Sequence, residues 1–286
     1  MIAQSFEYSA PDSVAEALRL LASHKGSRVL AGGQSLIPMM KLRLSGPAHL
    51  IDLGHIAELN YIGETNGSIR IGATSTHNQL ATSDTLRLSC PLLAEAAGRI
   101  GDVQVRNLGT IGGSVSHNDP AADYPAALQA LRAQVRLVSQ RGERTLAIDK
   151  FLLDAFTTAL ESGEILAEVI VPADSPGLGS AYLKHQQPAS GFAVAGVAAQ
   201  IGVKVGKITT ARVGITGVAS NSYRAAAVEA ALEGRPAQDS TLAEAARLAA
   251  KGIEALSDVY AAADYRAHIA GVSTRRALQA ALARAK

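Results

Sequence analysis

The chain has 286 residues, 48% of them hydrophobic and 18% charged, with 27 Lys and Arg against 25 Asp and Glu. A net charge of +2, the absence of Trp and an aromatic content of 4% argue against the basic face and stacking platforms of a nucleic-acid binder. A single cysteine, Cys90, cannot close an internal disulfide, and zinc fingers and iron–sulfur clusters need about four ligands, mostly thiolates. A reducing compartment follows. The length predicts two or three domains. No apolar run approaches the ~20 residues of a spanning helix, and the first eight residues, with Glu7 among them, lack the layout of a signal peptide. The expectation is a cytoplasmic protein with no integral membrane segment.

In chain order, Val14, Ala17, Leu18 and Leu21 recur at helical spacing after Asp12 or Ser13 as cap, with Gly26 as stop. Residues 28–31 read as a buried strand entering Gly32-Gly33. Ser35 is placed to cap a turn over 36–44, and 49–53 reads as another strand. Strand-like runs at 61–62 and 69–71 flank the hairpin signal Asn66-Gly67. A helix over 92–99, a glycine-rich segment over 107–119, a short helix over 125–131 and strands over 135–138 and 164–171 follow. Two prolines and two glycines within 172–179 mark a domain boundary. Beyond it, strands over 193–203 and 207–216 pair through Gly206, and alanine-rich helices are expected over 223–232, 241–256 and 265–285. Strands and helices fall in blocks, which predicts an α+β fold.

Chemistry concentrates at two glycine pairs, each after apolar sequence: Ala31-Gly32-Gly33-Gln34-Ser35 and Thr110-Ile111-Gly112-Gly113-Ser114. A glycine pair lets the backbone approach a phosphate and turns successive N–H groups outward as an anion nest. Hydroxyls of Ser35, Thr110 and Ser114 add neutral donors, so the two loops together suit a pyrophosphate without a basic patch. Neither is Gly-x-Gly-x-x-Gly or a P-loop, which disfavours a Rossmann nicotinamide site or an ATPase. Taken singly, each pair also reads as an ordinary tight turn. The seven histidines show no His-x-x-x-His spacing, His77 and His117 read as loop histidines, and Cys90 as a packed apolar residue.

The wording around these pairs resembles a known family. Residues 30–41 with Leu50-Ile51-Asp52-Leu53, and residues 106–114 continuing through Asp119-Pro120 to Asp123, are similar to the two FAD loops of the molybdenum hydroxylase flavoproteins, the carbon monoxide dehydrogenase and xanthine dehydrogenase family. The similarity extends through residues 69–73, 163–166 and 182–184 and covers essentially the whole chain. It implies a two-subdomain FAD-binding region of the vanillyl-alcohol oxidase type over 1–175 (subdomains about 1–55 and 56–175), then a small C-terminal α+β domain over 178–286 with antiparallel strands and helices. It further implies non-covalent FAD held by 31–35 and 110–114, with Asp123 beside the ribityl chain and Leu166 and Lys184 near the ring system. Gln34 stands where many relatives carry His, and Phe192, in place to stack on the flavin, lies in a stretch less basic than in relatives. No residue is expected to bind metal.

The function implied is that of an electron-transfer subunit of a heterotrimeric molybdenum hydroxylase, inactive alone. Electrons would pass from [2Fe–2S] clusters on a small subunit, fed by a molybdenum large subunit, through FAD to an external acceptor, in a dimer of heterotrimers that is cytoplasmic or peripheral at the inner membrane. Two alternatives stand beside it: a free-standing flavin oxidase of the vanillyl-alcohol oxidase type, and a scaffold that has lost FAD. The holoenzyme's substrate is not encoded in this chain.

Overall fold

The computed structural model describes residues 2–285. The first unit is a three-stranded parallel sheet in the order β1-β3-β2, built from β1 (Glu7–Ser9), α1 (Val14–Ser23), β2 (Ser27–Leu30), α2 (Leu36–Lys41) and β3 (His49–Asp52). Helix α1 begins at Ser13, whose hydroxyl accepts the Glu16 N–H at 3.2 Å, and its apolar stripe puts Ala17 and Leu18 in a core with Ile51, Leu53, Ile56 and Leu59. Within the α+β fold this first unit is locally parallel: short helices here carry the chain back between strands, as parallel pairing requires.

The second unit is an antiparallel sheet in the order β4-β5-β10-β6-β7. Its strands are β4 (Ile62–Thr65), β5 (Ser68–Gly72), β6 (Gln134–Ser139), β7 (Gly142–Ala147) and, after the small ribbon β8 (Leu152–Asp154) and β9 (Thr157–Thr158), β10 (Ile165–Pro172). Between β5 and β6 run six helices: α3 (His77–Thr82), α4 (Asp84–Ser89), α5 (Pro91–Gly98), α6 (Val103–Leu108), α7 (Ile111–His117) and α8 (Asp123–Leu131); α9 (Ile148–Phe151) follows β7. The β4–β5 turn has both Asn66 and Gly67 at positive φ, +52° and +72°, as a two-residue type I′ hairpin demands. The β10–β6 register slips between Leu166 and Glu168. This bulge bends the strand and separates two neighbours by role. Leu166 lies toward the first two units' junction, whereas Glu168, 2% exposed, is taken up by Tyr61, Arg70 and Arg136.

The third unit is the antiparallel sheet β11-β12-β13-β14: β11 (Leu178–Gln186), β12 (Ala193–Lys204), β13 (Lys207–Thr216) and β14 (Tyr223–Arg224). Helices α10 (Ala226–Leu232), α11 (Asp239–Ala246) and α12 (Ala263–Arg284) cover one side, with alanines of α12 set among the valines and isoleucines of β12 and β13. Helix α8 of the second unit covers the other, and Tyr182 and Ala198 join the second unit's core. The alanine-rich stretch from Thr241 leaves the helix after Ala246 and turns at Gly252, φ +76°, where expectation carried it to 256. None of the helices is long and apolar enough to cross a membrane.

Candidate functional site

A cleft of about 670 Å³ opens where the first two units meet, with residues of the third at its rim. That volume lies inside the roughly 300–1,000 Å³ range of ligand pockets. Both glycine loops line it: Ala31, Gly32, Gly33, Gln34 and Ser35 from the end of β2, and Thr110, Gly112, Gly113 and Ser114 from the start of α7. Asp123 and Leu166 reach it as well, and Phe156 and Phe192 stand at its mouth, 59% and 47% exposed.

The two loops do different work. In the first, Gly33 has φ +71°, a conformation L side chains rarely adopt. Among the described residues, the amides of Gly32, Gly33, Gln34 and Ser35 find no acceptor within the protein. Ser35 occupies the N-cap position of α2 without making the cap bond, so its hydroxyl is also uncommitted, and the helix ends at Lys41. Gln34 folds back toward the Gly32 carbonyl, Nε2 to O 3.4 Å. In the second loop the amides are already bonded. Ile111 N–H donates to Ser75 O at 3.0 Å, Gly112 N–H to Ala73 O at 2.9 Å, and Gly113 N–H to Thr110 Oγ1 at 3.1 Å. The glycine-rich segment is thus a capped helix, not an open nest, and what it offers the cleft is the uncrowded face of Gly113 and the Ser114 side chain. Gly112 is there for packing: a Cβ would lie 2.5 Å from that of Ala73.

Behind the wall sits a buried polar triad. Asp123, 4% exposed, accepts from Tyr182 Oη at 2.5 Å and Lys184 Nζ at 3.0 Å. Lys184 also donates to the carbonyls of Arg99 at 2.6 Å and Gly191 at 2.8 Å, and its side chain is 1% exposed. Burial pushes the Asp123 carboxyl up to about 6, against the opposing pull of Lys184 and the Tyr182 hydrogen bond. Lys184 is no solvated strand end. It meets the cleft through Asp123, not on the wall itself, and Ile111, 0% exposed, points into the core.

The chain as a whole is similar to known proteins. The family described as the FAD binding domain in molybdopterin dehydrogenase matches residues 4–174, and the CO dehydrogenase flavoprotein C-terminal domain matches 180–281. The carbon monoxide dehydrogenase medium chain of Hydrogenophaga pseudoflava is 40% identical over 285 residues, 99% of each chain. The glyceraldehyde dehydrogenase medium chain of Sulfolobus acidocaldarius is 35% identical over 279 residues, 98% of this chain and 99% of that one. A chain of the solved H. pseudoflava carbon monoxide dehydrogenase, in a form lacking the Mo-pyranopterin moiety, superposes with a TM-score of 0.97 at 42% identity, covering 100% of both. The chain belongs to the FAD-binding medium subunits of the molybdenum hydroxylases. Its cofactor class is FAD, and molybdenum and iron–sulfur centres belong to other subunits of such complexes.

Two residues of this medium subunit's cleft were read from sequence only as loop histidines. His77 is 5% exposed, its Nδ1 3.1 Å from Tyr124 Oη, and its N–H donates to Gly109 O at 2.9 Å. Burial, reinforced by the Arg106 charge, lowers its pKa to about 4. His117, at the end of α7, is also lowered, mainly by burial, and its ring lies 5.1 Å from that of Phe156. An isolated imidazole has no sequence signature apart from its neighbours, so their burial in the cleft wall was not legible from sequence. The segment 161–164 also lines the cleft, pinned by Arg144, which holds Glu164 at 2.8 Å through both Nε and Nη2.

Proposed function

We propose that this medium subunit holds one non-covalent FAD across the cleft, with the pyrophosphate on the free amides of Gly32, Gly33, Gln34 and Ser35. The single observation that carries this reading is those four amides without acceptors, facing a cleft that the second loop closes. They fit a pyrophosphate because N–H dipoles neutralise its charge where the chain, at net charge +2, has no basic patch. Ala31 ends the strand that presents them. Thr110 and Ile111 set the second wall by capping and anchoring α7, and Gly113 and Ser114 meet the cofactor. Leu166 lies against the ring system, and Asp123 receives the ribityl hydroxyls while Lys184 and Tyr182 fix its carboxylate. Gln34 has no nucleophile to tether the flavin.

When bound, FAD accepts electrons singly and delivers them in pairs, and the protein supplies its binding and orientation. We assign to the subunit the passage of electrons from an iron–sulfur small subunit, itself supplied by a molybdenum large subunit, to an external acceptor. The assembly is a dimer of heterotrimers in the cytoplasm, and the chain divides into an FAD-binding domain over 1–175 and a C-terminal domain over 178–286. Relatives named for carbon monoxide and for glyceraldehyde align with nearly the whole of this chain, which supports placing the choice of substrate on the large subunit. Acid precipitation of the purified chain tests the cofactor: all yellow chromophore is expected in the supernatant as FAD, and flavin left in the pellet contradicts the tether-free loop.

A further inference from the structure

We propose that Glu7, His24 and His49 form a site for one divalent transition-metal ion of the zinc class, at the end of the first sheet where β1 and β3 begin. Each of the three offers one ligand atom, and these atoms lie within 4.8 Å of one another. The topology brings them together. Glu7 opens β1, His49 opens β3, and the parallel register pairs the two directly; His24 caps the C-terminus of α1, just before β2, whose Ser27 is the partner of His49 on its other side. The glycine loop 31–35 leaves the far end of β2, a four-residue strand about 13 Å long, while Ser27 at its near end also lines the cleft.

The ring nitrogens are already sorted by their hydrogen bonds. His24 Nδ1 lies 3.1 Å from the Leu20 carbonyl and 2.9 Å from Ser23 Oγ. A carbonyl only accepts, so Nδ1 carries the proton and Nε2 holds a free lone pair. His49 is 3% exposed, with Nε2 2.8 Å from Ser9 Oγ and Nδ1 without any partner. A buried polar atom left unpaired is costly and calls for an explanation, and a metal ion supplies one. The two rings meet edge to face, centroids 4.6 Å apart at 76°.

Two imidazoles and a carboxylate leave one position for water in a tetrahedral shell, the set zinc takes. Ligand atoms of such a shell are about 3.3 Å apart for bonds of roughly 2.0–2.1 Å, a closure that the exposed side chains of Glu7 and His24 make by rotating. Nitrogen donors disfavour magnesium and calcium, which prefer oxygen throughout. Leu20 O and Ser9 Oγ hold the outer ring nitrogens as second partners do at established zinc sites. Bound there, the ion ties β1, the end of α1 and β3 together, a structural role.

The test uses the full chain with FAD bound, stripped with a chelator and titrated with Zn²⁺ by calorimetry, with metal analysis after gel filtration and thermal unfolding in parallel. One Zn²⁺ per chain is expected, with a rise in unfolding temperature that Mg²⁺ does not reproduce. His24→Ala and Glu7→Gln, both at exposed side chains that leave the core intact, should each erase the zinc-dependent rise while retaining FAD. Ser9→Ala should weaken Zn²⁺ binding by about 10–100-fold. Wild-type zinc affinity in His24→Ala, or no saturable Zn²⁺ binding by the wild type, overturns the proposal.

Discussion

Gly32 lies so close to Leu108 that a Cβ on it would overlap the Leu108 carbonyl oxygen and sit 2.6 Å from Gly109 Cα. The first glycine loop therefore rests on the chain that leads into the second, and this backbone contact sets the width of the cleft between them. Gly109 in turn is pressed by the His77 ring, 2.5 Å from where its own Cβ would be. One glycine of each pair, Gly32 and Gly112, is required by chain packing. The other, Gly33 or Gly113, is set by a positive φ or left facing the cleft.

This division predicts different balances of stability and cofactor loss for two substitutions. Gly32→Ala forces the loops apart, and overpacking of this kind costs about 1–3 kcal/mol; denaturant unfolding should show that loss together with loss of FAD. Gly113→Val puts its Cβ 2.9 Å from Thr110 Oγ1 and 3.9 Å from the Ala31 Cβ, with no backbone atom outside its own helix within 4 Å. Its stability loss should be about 1 kcal/mol, the cost of a helix cap, while FAD retention on gel filtration falls sharply. Equal FAD retention by Gly113→Val and wild type would remove this residue from the site.

The Asp123–Lys184 pair gives a pH-dependent expectation. Breaking a buried ion pair costs about 3–5 kcal/mol because the remaining charge has no partner. In Lys184→Met the lone carboxylate is tolerated when protonated and penalised when ionised. The folded pKa of Asp123, already raised to about 6, rises further, so the variant's deficit should be small near pH 5 and grow toward pH 8. Denaturant midpoints at the two pH values measure it. A deficit independent of pH would show that Lys184 acts only through its carbonyl contacts.

His77 works in the opposite sense. Its folded pKa, about 4, is below the ordinary value near 6.5, so the unfolded chain binds the proton more readily. Its contribution is complete above pH 6.5 and lost as pH falls toward 4, about 3 kcal/mol in all by proton linkage. His77→Asn keeps a polar atom near Tyr124 and removes the titration. Its stability should fall less steeply than that of wild type between pH 6.5 and 4, measured by chemical denaturation.

Much of this architecture was legible because local chemistry and tertiary structure agree. Ser13, one of the two cap candidates in the sequence, caps α1, Asn66-Gly67 makes its hairpin, and Val205 and Gly206, φ +50° and +70°, turn β12 into β13. Other elements were hidden where the two conflict. Strand β11 starts at Leu178 inside the proline- and glycine-rich boundary, so its first residues read as punctuation. Helix α7 carries two adjacent glycines, poor helix formers, and exists because Thr110 caps it and Gly112 packs on Ala73. The cleft's loops were visible as motifs, but which amides stay free depends on Ser75 and Ala73, residues distant in sequence and supplied only by folding. The Lys184 burial and the Glu7–His24–His49 cluster are likewise products of strand register.

Electrons should reach this flavin only through partner subunits, and flavin absorbance on substrate addition reads that path. The FAD-loaded chain is mixed anaerobically with carbon monoxide, an aldehyde or an N-heterocycle, alone and then with its iron–sulfur and molybdenum subunits. No bleaching is expected from the chain alone, and bleaching with the cognate substrate once both partners are present. Bleaching of the chain alone, in a preparation free of molybdenum and iron, would contradict the account and make this a free-standing oxidase.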